Sequence, residues 1–337
     1  MYSALILVMK QSLAFSRRRD ILRLGGGLSL ALALSAPLFR WIRDTATDHG
    51  VLRGREVSFA RGGSGLAGSS GTSLSPVEAE HFNLVLNLEY VGAQFYSYAA
   101  GGIGVPLALQ TGTGLQGEAV GGRSASFTDP SVRRYASELA NDRSLRLARM
   151  REHLLEAAAA QPTIDLSVSP ASPFSVAARG AGLISVDGVF DPFGGDDNFL
   201  LSAFFMENLV SAAYRSMVAH VTTDLPKQAA AQNLANAIYH GGLVRAVIAG
   251  KAQQNPALLD SCTSLCTYMA QLDGSTTGDG SPGNDTTASS NLFDAQGRHV
   301  PFTRSPKQIL STLYLAPGAE TPGGFLPHGA NGLATLA

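Results

Sequence analysis

Cysteine is nearly absent from this chain: Cys262 and Cys266 are the only two in 337 residues. That excludes a disulfide framework as the basis of the fold. The two lie four residues apart, a spacing at which a regular helix rarely offers disulfide geometry. In an irregular segment they could pair in an oxidising compartment; in a regular one they read as two small buried thiols. Without nearby histidines they are a weak zinc signal. Charge is also scarce. Only 15% of residues are charged and the net charge is −1, which argues against general nucleic-acid binding. No convincing strand pattern and no internal repeat can be found. "GGSGLAGSSG" lacks the strand–helix setting and the lysine of a phosphate loop, and "GGGLSLALAL" falls in the N-terminal apolar run. No serine flanked by glycines sits between a strand and a helix as a nucleophile.

Apolar and small residues take the place of these features. Hydrophobic residues make up 45%, enough for a substantial core, and 37 glycines with 16 prolines point to long irregular connections. Charge is unevenly spread. Residues 1–40 hold Lys10, Arg17, Arg18, Arg19, Arg23 and Arg40 against Asp20 alone, leaving about −6 on the rest. "SRRRDILRLGGGLSLALALSAP" (16–37) is a basic cluster followed by an apolar run of roughly a dozen residues, short of the ~20 that a membrane helix needs. Arg18-Arg19-Asp20-Ile21-Leu22-Arg23 resembles the twin-arginine export signal, and Ala31-Leu32-Ala33 could supply a small-residue cleavage site. That resemblance implies a periplasmic or secreted protein with no stable membrane span after cleavage; an uncleaved anchor is the competing reading. "MYSALILV" fits no part of such a signal, so Met9 competes with Met1 as the start. Twin-arginine export usually carries folded proteins, which allows a cofactor loaded beforehand without requiring one.

Beyond the signal, residues 41–75 are expected to be a flexible linker, since "ARGGSGLAGSSGTSLS" is rich in glycine and serine. Ser75, Pro76 and Glu78 then form a helix start of the capping-box type. The first helix runs to about Ala99, with Phe82, Val85, Leu86, Ala93 and Tyr96 on one stripe and Glu89 among them. A second helix starts near Asp129-Pro130; its stripe of Val132, Tyr135, Leu139, Met150 and Leu154 contains Arg143 and Arg146. A third starts near Asp196–Asn198, with Leu200, Ala203, Phe204, Val210, Ser211 and Tyr214 around Glu207. A fourth runs from Pro226 to about Gly250, with Ala237, Gly241, Val244 and Ile248 inward and His240 on the same side. Shorter helices are expected over about Pro256–Leu272 and Ser305–Tyr314, and residues 161–197 should cover the bundle as a long loop. The fold expectation is therefore all-α: a four-helix bundle over 76–272 with long crossovers. It follows an export signal over 1–40, and residues 273–337 form a polar loop and a C-terminal extension packed on it. His81, His153 and His220 are expected at the surface or at helix ends, and Tyr90, Tyr96, Tyr214 and Tyr239 in the core with bonded hydroxyls.

Such a bundle can hold two metal ions on one Glu from each of two helices and a Glu-x-x-His pair from each of the others. Residues three apart share a helical face, so these groups converge. This chain carries half of that set. Glu89, Glu207 and His240 are ligand types; Ala237 stands where the fourth helix's Glu belongs, and Arg143 and Arg146 stand where the second helix's Glu and His belong.

Six blocks, "LNLEYVGAQFY", "DPSVRRYASELAND", "FDPFGGDDNFLLSAFFMENLVSAAYR", "AIYHGGLVR", "FTRSPKQILSTLY" and "GGFLPHGANG", occur in order across roughly residues 76–332. In them the chain resembles the ferritin-like proteins related to plant desiccation-related proteins. The resemblance implies a ferritin-like fold. It implies a metal site only where ligands persist; many bacterial members have Glu-x-x-His after the Asn-Asp pair and a Glu before the Tyr-His pair, and this sequence departs at both. Two arginines and two glutamates sum to zero charge, so Arg143 and Arg146 could replace metal as the positive charge that Glu89 and Glu207 require. Alternatively the helix is rotated and both arginines snorkel to solvent, or a metal site survives.

The functional expectation is an exported ferritin-like protein with a degenerate two-metal site. It is read as non-catalytic, a stress-related or envelope component acting on an unidentified protein or envelope partner. No cofactor is expected. The alternative is a metal-dependent oxidase or metal-binding protein using iron or manganese on Glu89, Glu207 and His240. Cage-type iron storage fits worst, because the crossovers and the C-terminal extension would obstruct close packing, although a homo-oligomer of another kind stays open.

Overall fold

A computed structural model describes residues 74–275, 280, 282 and 303–336. The expected export signal, the choice of start and the linker up to residue 73 lie outside the described residues. Seven α-helices are described: α1 (Pro76–Gly101), α2 (Pro130–Leu154), α3 (Pro173–Gly180), α4 (Asp196–His220), α5 (Asp224–Lys251), α6 (Ala257–Asp273) and α7 (Pro306–Tyr314). The expected helices lie within a few residues of these bounds. The segment read as a plain covering loop also holds α3, which begins at Pro173 after Ser172. Two short strands were unforeseen as well. β1 (Ala119–Val120) and β2 (Ile164–Asp165) pair in parallel, tying one crossover to the other. Two-residue strands are too short to leave an alternating pattern in a sequence.

Helix α1 is the hub. It starts with the full capping box: the Ser75 hydroxyl accepts from Glu78 N–H and the Glu78 carboxylate from Ser75 N–H. It ends at Gly102, whose left-handed φ of 73° a glycine takes without strain. Between these caps, residues 81–96 are buried on every side; the polar stripe of Asn83, Asn87, Tyr90 and Gln94 hydrogen-bonds the second crossover and the C-terminal tail instead of water. α2 packs along one flank, α4 along another, and α7 against α4 and α6.

End-to-end contacts fix the directions. Glu78 at the start of α1 accepts hydrogen bonds from Thr222 N–H (2.6 Å) and Thr223 N–H (2.9 Å), in the turn between α4 and α5. Burial alone would raise the pKa of this carboxyl, but the hydrogen bonds from Ser75, Thr222 and Thr223 hold it far below the usual range. Asn83, also near the start of α1, donates to Ala157 O just past the end of α2. At the far end, Asp196 opening α4 accepts from Asp129 N–H (3.0 Å), the cap of α2. Hence α1 and α5 run one way and α2 and α4 the other. The α2–α4 connection must travel the length of the bundle, which explains the long segment 155–195. The C-terminal tail locks both crossovers onto the hub. Asn331 exchanges hydrogen bonds with Asn87 on α1 and donates to Leu115 O and Ala160 O.

Two expectations about single residues are corrected. His81 is buried, not at the surface, because its ring stacks on His220 with centroids 4.4 Å apart. Tyr239 is 54% exposed and not a core residue; its hydroxyl reaches Glu138 across the outside of the α2–α5 seam. Cys262 and Cys266 are buried on α6 and form no disulfide with each other, and burial pushes the Cys262 pKa up to about 12.

Candidate functional site: a buried arginine–glutamate cluster

The four long helices converge on Glu89 (α1), Arg143 and Arg146 (α2), Glu207 (α4) and His240 (α5). Each lies on its helix's core-facing stripe, and each is buried. Arg143 is at the centre, at 0% exposure, with Nη1 donating to Glu89 Oε2 at 3.1 Å and Nη2 to Glu207 Oε1 at 2.6 Å. One guanidinium thus bridges the two carboxylates of opposite helices. Arg146 Nε stands 3.0 Å from Glu89 Oε1, inside ion-pair range but without the alignment of a hydrogen bond. Two arginines face two glutamates, and the cluster is neutral.

Further residues make this arrangement fit. Gly92 follows Glu89 by three on α1, and a Cβ there would lie 2.3 Å from Arg143 Nη1. Only glycine leaves room for the guanidinium. Tyr96 donates to Glu207 Oε1 at 2.7 Å, and its ring lies 5.2 Å from Arg143 Cζ. The Tyr214 ring stands likewise 5.5 Å from Arg146 Cζ, while its hydroxyl lies 3.0 Å from Met150 Sδ. Burial and the neighbouring glutamates push both phenols well above their ordinary pKa. For Glu207 burial works upward, but Arg143 above all holds the carboxyl below its ordinary value. For Arg143 burial works downward and the two glutamates more than reverse it, so the guanidinium is charged. Gly92 has a readable signal, being a glycine one turn beyond Glu89 on the same stripe. Tyr96, seven residues beyond Glu89, has another.

His240 behaves differently. Its Nε2 is 3.0 Å from Asp142 Oδ2, a rim carboxylate beside Arg143 in sequence. Burial lowers its pKa, with Arg143 and Arg146 acting the same way against the pull of Glu207, so the ring is neutral at pH 7. Among the described residues its Nδ1 has no hydrogen-bond partner. Ala237, fully buried one turn earlier on α5, offers only a methyl group.

A model of the ferritin-like domain matches residues 77–250, about half of the chain. This protein belongs to the ferritin-like family. No curated protein and no solved structure matches it. In a ferritin-like bundle these stripes are where a pair of metal ions would be held. The donors here do not fit that pair. Three of the four carboxylate oxygens face guanidinium nitrogens, and a permanent cation repels a metal ion. Among the described residues no group of three or more His, Cys, Asp or Glu side chains could hold a metal ion.

Proposed function

We propose that this ferritin-like protein is exported and works by binding rather than by metal chemistry, its two-metal centre having given way to the arginine–glutamate cluster. The observation that carries this reading is Arg143, whose guanidinium spans Glu89 and Glu207 as a bridging cation would. A buried charge without a partner costs several kcal/mol, whereas a paired and hydrogen-bonded set can come near break-even. The cluster therefore supplies both carboxylates with countercharge without any ion. In the twin-arginine reading of Arg18 and Arg19, and in the desiccation-related resemblance of the six blocks, the protein serves at the cell envelope or outside it, in a stress-related role. Among the described residues no helix is long and apolar enough to cross a membrane, and partner binding is left to the decorated surface of the bundle.

Protein purified without chelator should contain well under one iron or manganese per chain by elemental analysis. Stoichiometric metal would favour the oxidase reading on Glu89, Glu207 and His240. Export is tested separately: changing Arg18 and Arg19 to Lys should trap a precursor in the cytoplasm, and normal secretion of that variant would remove the twin-arginine part.

A further inference from the structure

The α2–α5 seam is the loosest of the bundle. α1 packs closely on α2 and α4 on α5, but α2 and α5 touch lightly, and a cavity of about 540 Å³ opens between them. That is the size of a small-molecule site, not of packing slack. Its buried wall residues are Arg146, Ala229, Asn233 and His240. Its exposed wall adds Arg149, His153 and Asn236.

Arg146 is the decisive member. It is 4% exposed, and its Nη1 and Nη2 have no hydrogen-bond partner among the described residues. Buried donors in native proteins are nearly always satisfied, and an orphaned guanidinium is among the costliest exceptions. Glu89 supplies Arg146 with a countercharge but no aligned acceptor. What is missing is an oxygen acceptor, preferably one with two oxygens to match the guanidinium fork. The one lining carboxylate, Asp142, already serves His240, and Arg149 on the rim pairs with Glu152, so neither completes Arg146. The amides of Asn233 and Asn236 add neutral donors and acceptors suited to hydroxyls.

The geometry points to a binding site for a small anionic molecule in this cleft. Its phosphate or carboxylate pairs with Arg146, and its polar remainder lies against Asn233 and Asn236. This goes beyond the reading above and depends neither on export nor on the absence of metal. The cavity is several times larger than a bare phosphate ion, so the ligand is a phosphorylated or carboxylated metabolite, not an inorganic ion alone.

The test is isothermal titration of the full chain with inorganic phosphate and with acetate at constant ionic strength, chloride being the control. Saturable binding of one or both, absent for chloride, is expected, and the stronger of the two identifies the head group. Arg146→Gln should weaken binding at least tenfold, and Arg149→Gln about threefold, in keeping with a buried against an exposed partner. If Arg146→Gln does not fold, Asn233→Leu, which disturbs no ion pair, should weaken binding instead. No saturation by either anion up to about 10 mM, ten times the 1 mM mark, overturns the site. So does saturable binding that Arg146→Gln, or in its place Asn233→Leu, leaves unchanged.

Discussion

Arg143 and Arg146 are three residues apart on one face of α2, yet they meet opposite surroundings. Arg143 is clamped by two carboxylates, stacked on Tyr96 and given room by Gly92. Arg146 has one carboxylate, misaligned, and borders an open cavity. The same residue type thus closes one half of the centre and leaves the other half unfinished. Burial and charge are alike at the two positions; what separates them is that both terminal nitrogens of Arg143 donate hydrogen bonds and, among the described residues, neither of Arg146's does. A guanidinium held at both terminal nitrogens is structural. An unsatisfied one, beside a cleft, is where a ligand can gain binding energy.

The closed half should be the more sensitive to mutation. Glu207→Leu removes the acceptor of both Arg143 and Tyr96 and leaves a guanidinium half-paired at full burial. It should destabilise by about 3–5 kcal/mol in chemical denaturation. Gly92→Ala drives a methyl group into the pinned guanidinium and should cost about 2–3 kcal/mol. In a background carrying Arg143→Met the same change should cost much less, and a purely additive result would contradict the close approach. Tyr96→Phe deletes one hydrogen bond to a charged acceptor, an expected loss of about 1.5 kcal/mol. At the opposite extreme, Arg149→Ala on the exposed rim should stay within about 0.5 kcal/mol of wild type.

Mild acid separates the two halves another way. The folded pKa of His240 is lowered from 6.5 by burial, and that of His81 by burial and by the stacked His220. The unfolded chain therefore binds those protons first. Stability from these residues is complete above about pH 6.5 and falls as pH drops through the lower folded values. His240 is faced by Asp142, Glu207, Arg143 and Arg146, so His240→Gln should remove its share of that decline. Glu207 acts at lower pH: its depressed pKa gives stability that is full above about 4.5 and is lost as pH falls through the folded value.

Much of this arrangement was legible in the residues. The periodic stripes placed Glu89, Arg143, Arg146, Glu207 and His240 inward, and three-residue spacing put the two arginines on one face. Caps at Ser75 and Asp129 marked helix starts, because a side-chain oxygen before a proline leaves few other conformations. What periodicity could not supply was the third dimension. It does not say which carboxylate an arginine reaches, so the bridging by Arg143 and the incompleteness of Arg146 became visible only in the packed bundle. His81 was misjudged because a helix-end position normally faces water, whereas here the turn after α4 brings His220 over it. Tyr239 was misjudged because an aromatic neighbour of an inward histidine points about 100° away from it on a helix. The β1–β2 pair joins two crossovers distant in sequence, and no local signal announces it.

The substitution at the centre is tested most directly by thermal melting with and without added manganese or iron. Wild type is compared with a variant carrying Arg143→Glu, Arg146→His and Ala237→Glu together. That variant would place four carboxylates and two imidazoles on the converging stripes in place of two guanidinium groups. Without metal it should melt below wild type, because the like charges repel; with metal it should regain stability by mass action. Wild type should not respond, since guanidinium groups already neutralise its glutamates. An equal metal-induced rise in wild type would contradict the conclusion that arginine occupies the place of the metal ions.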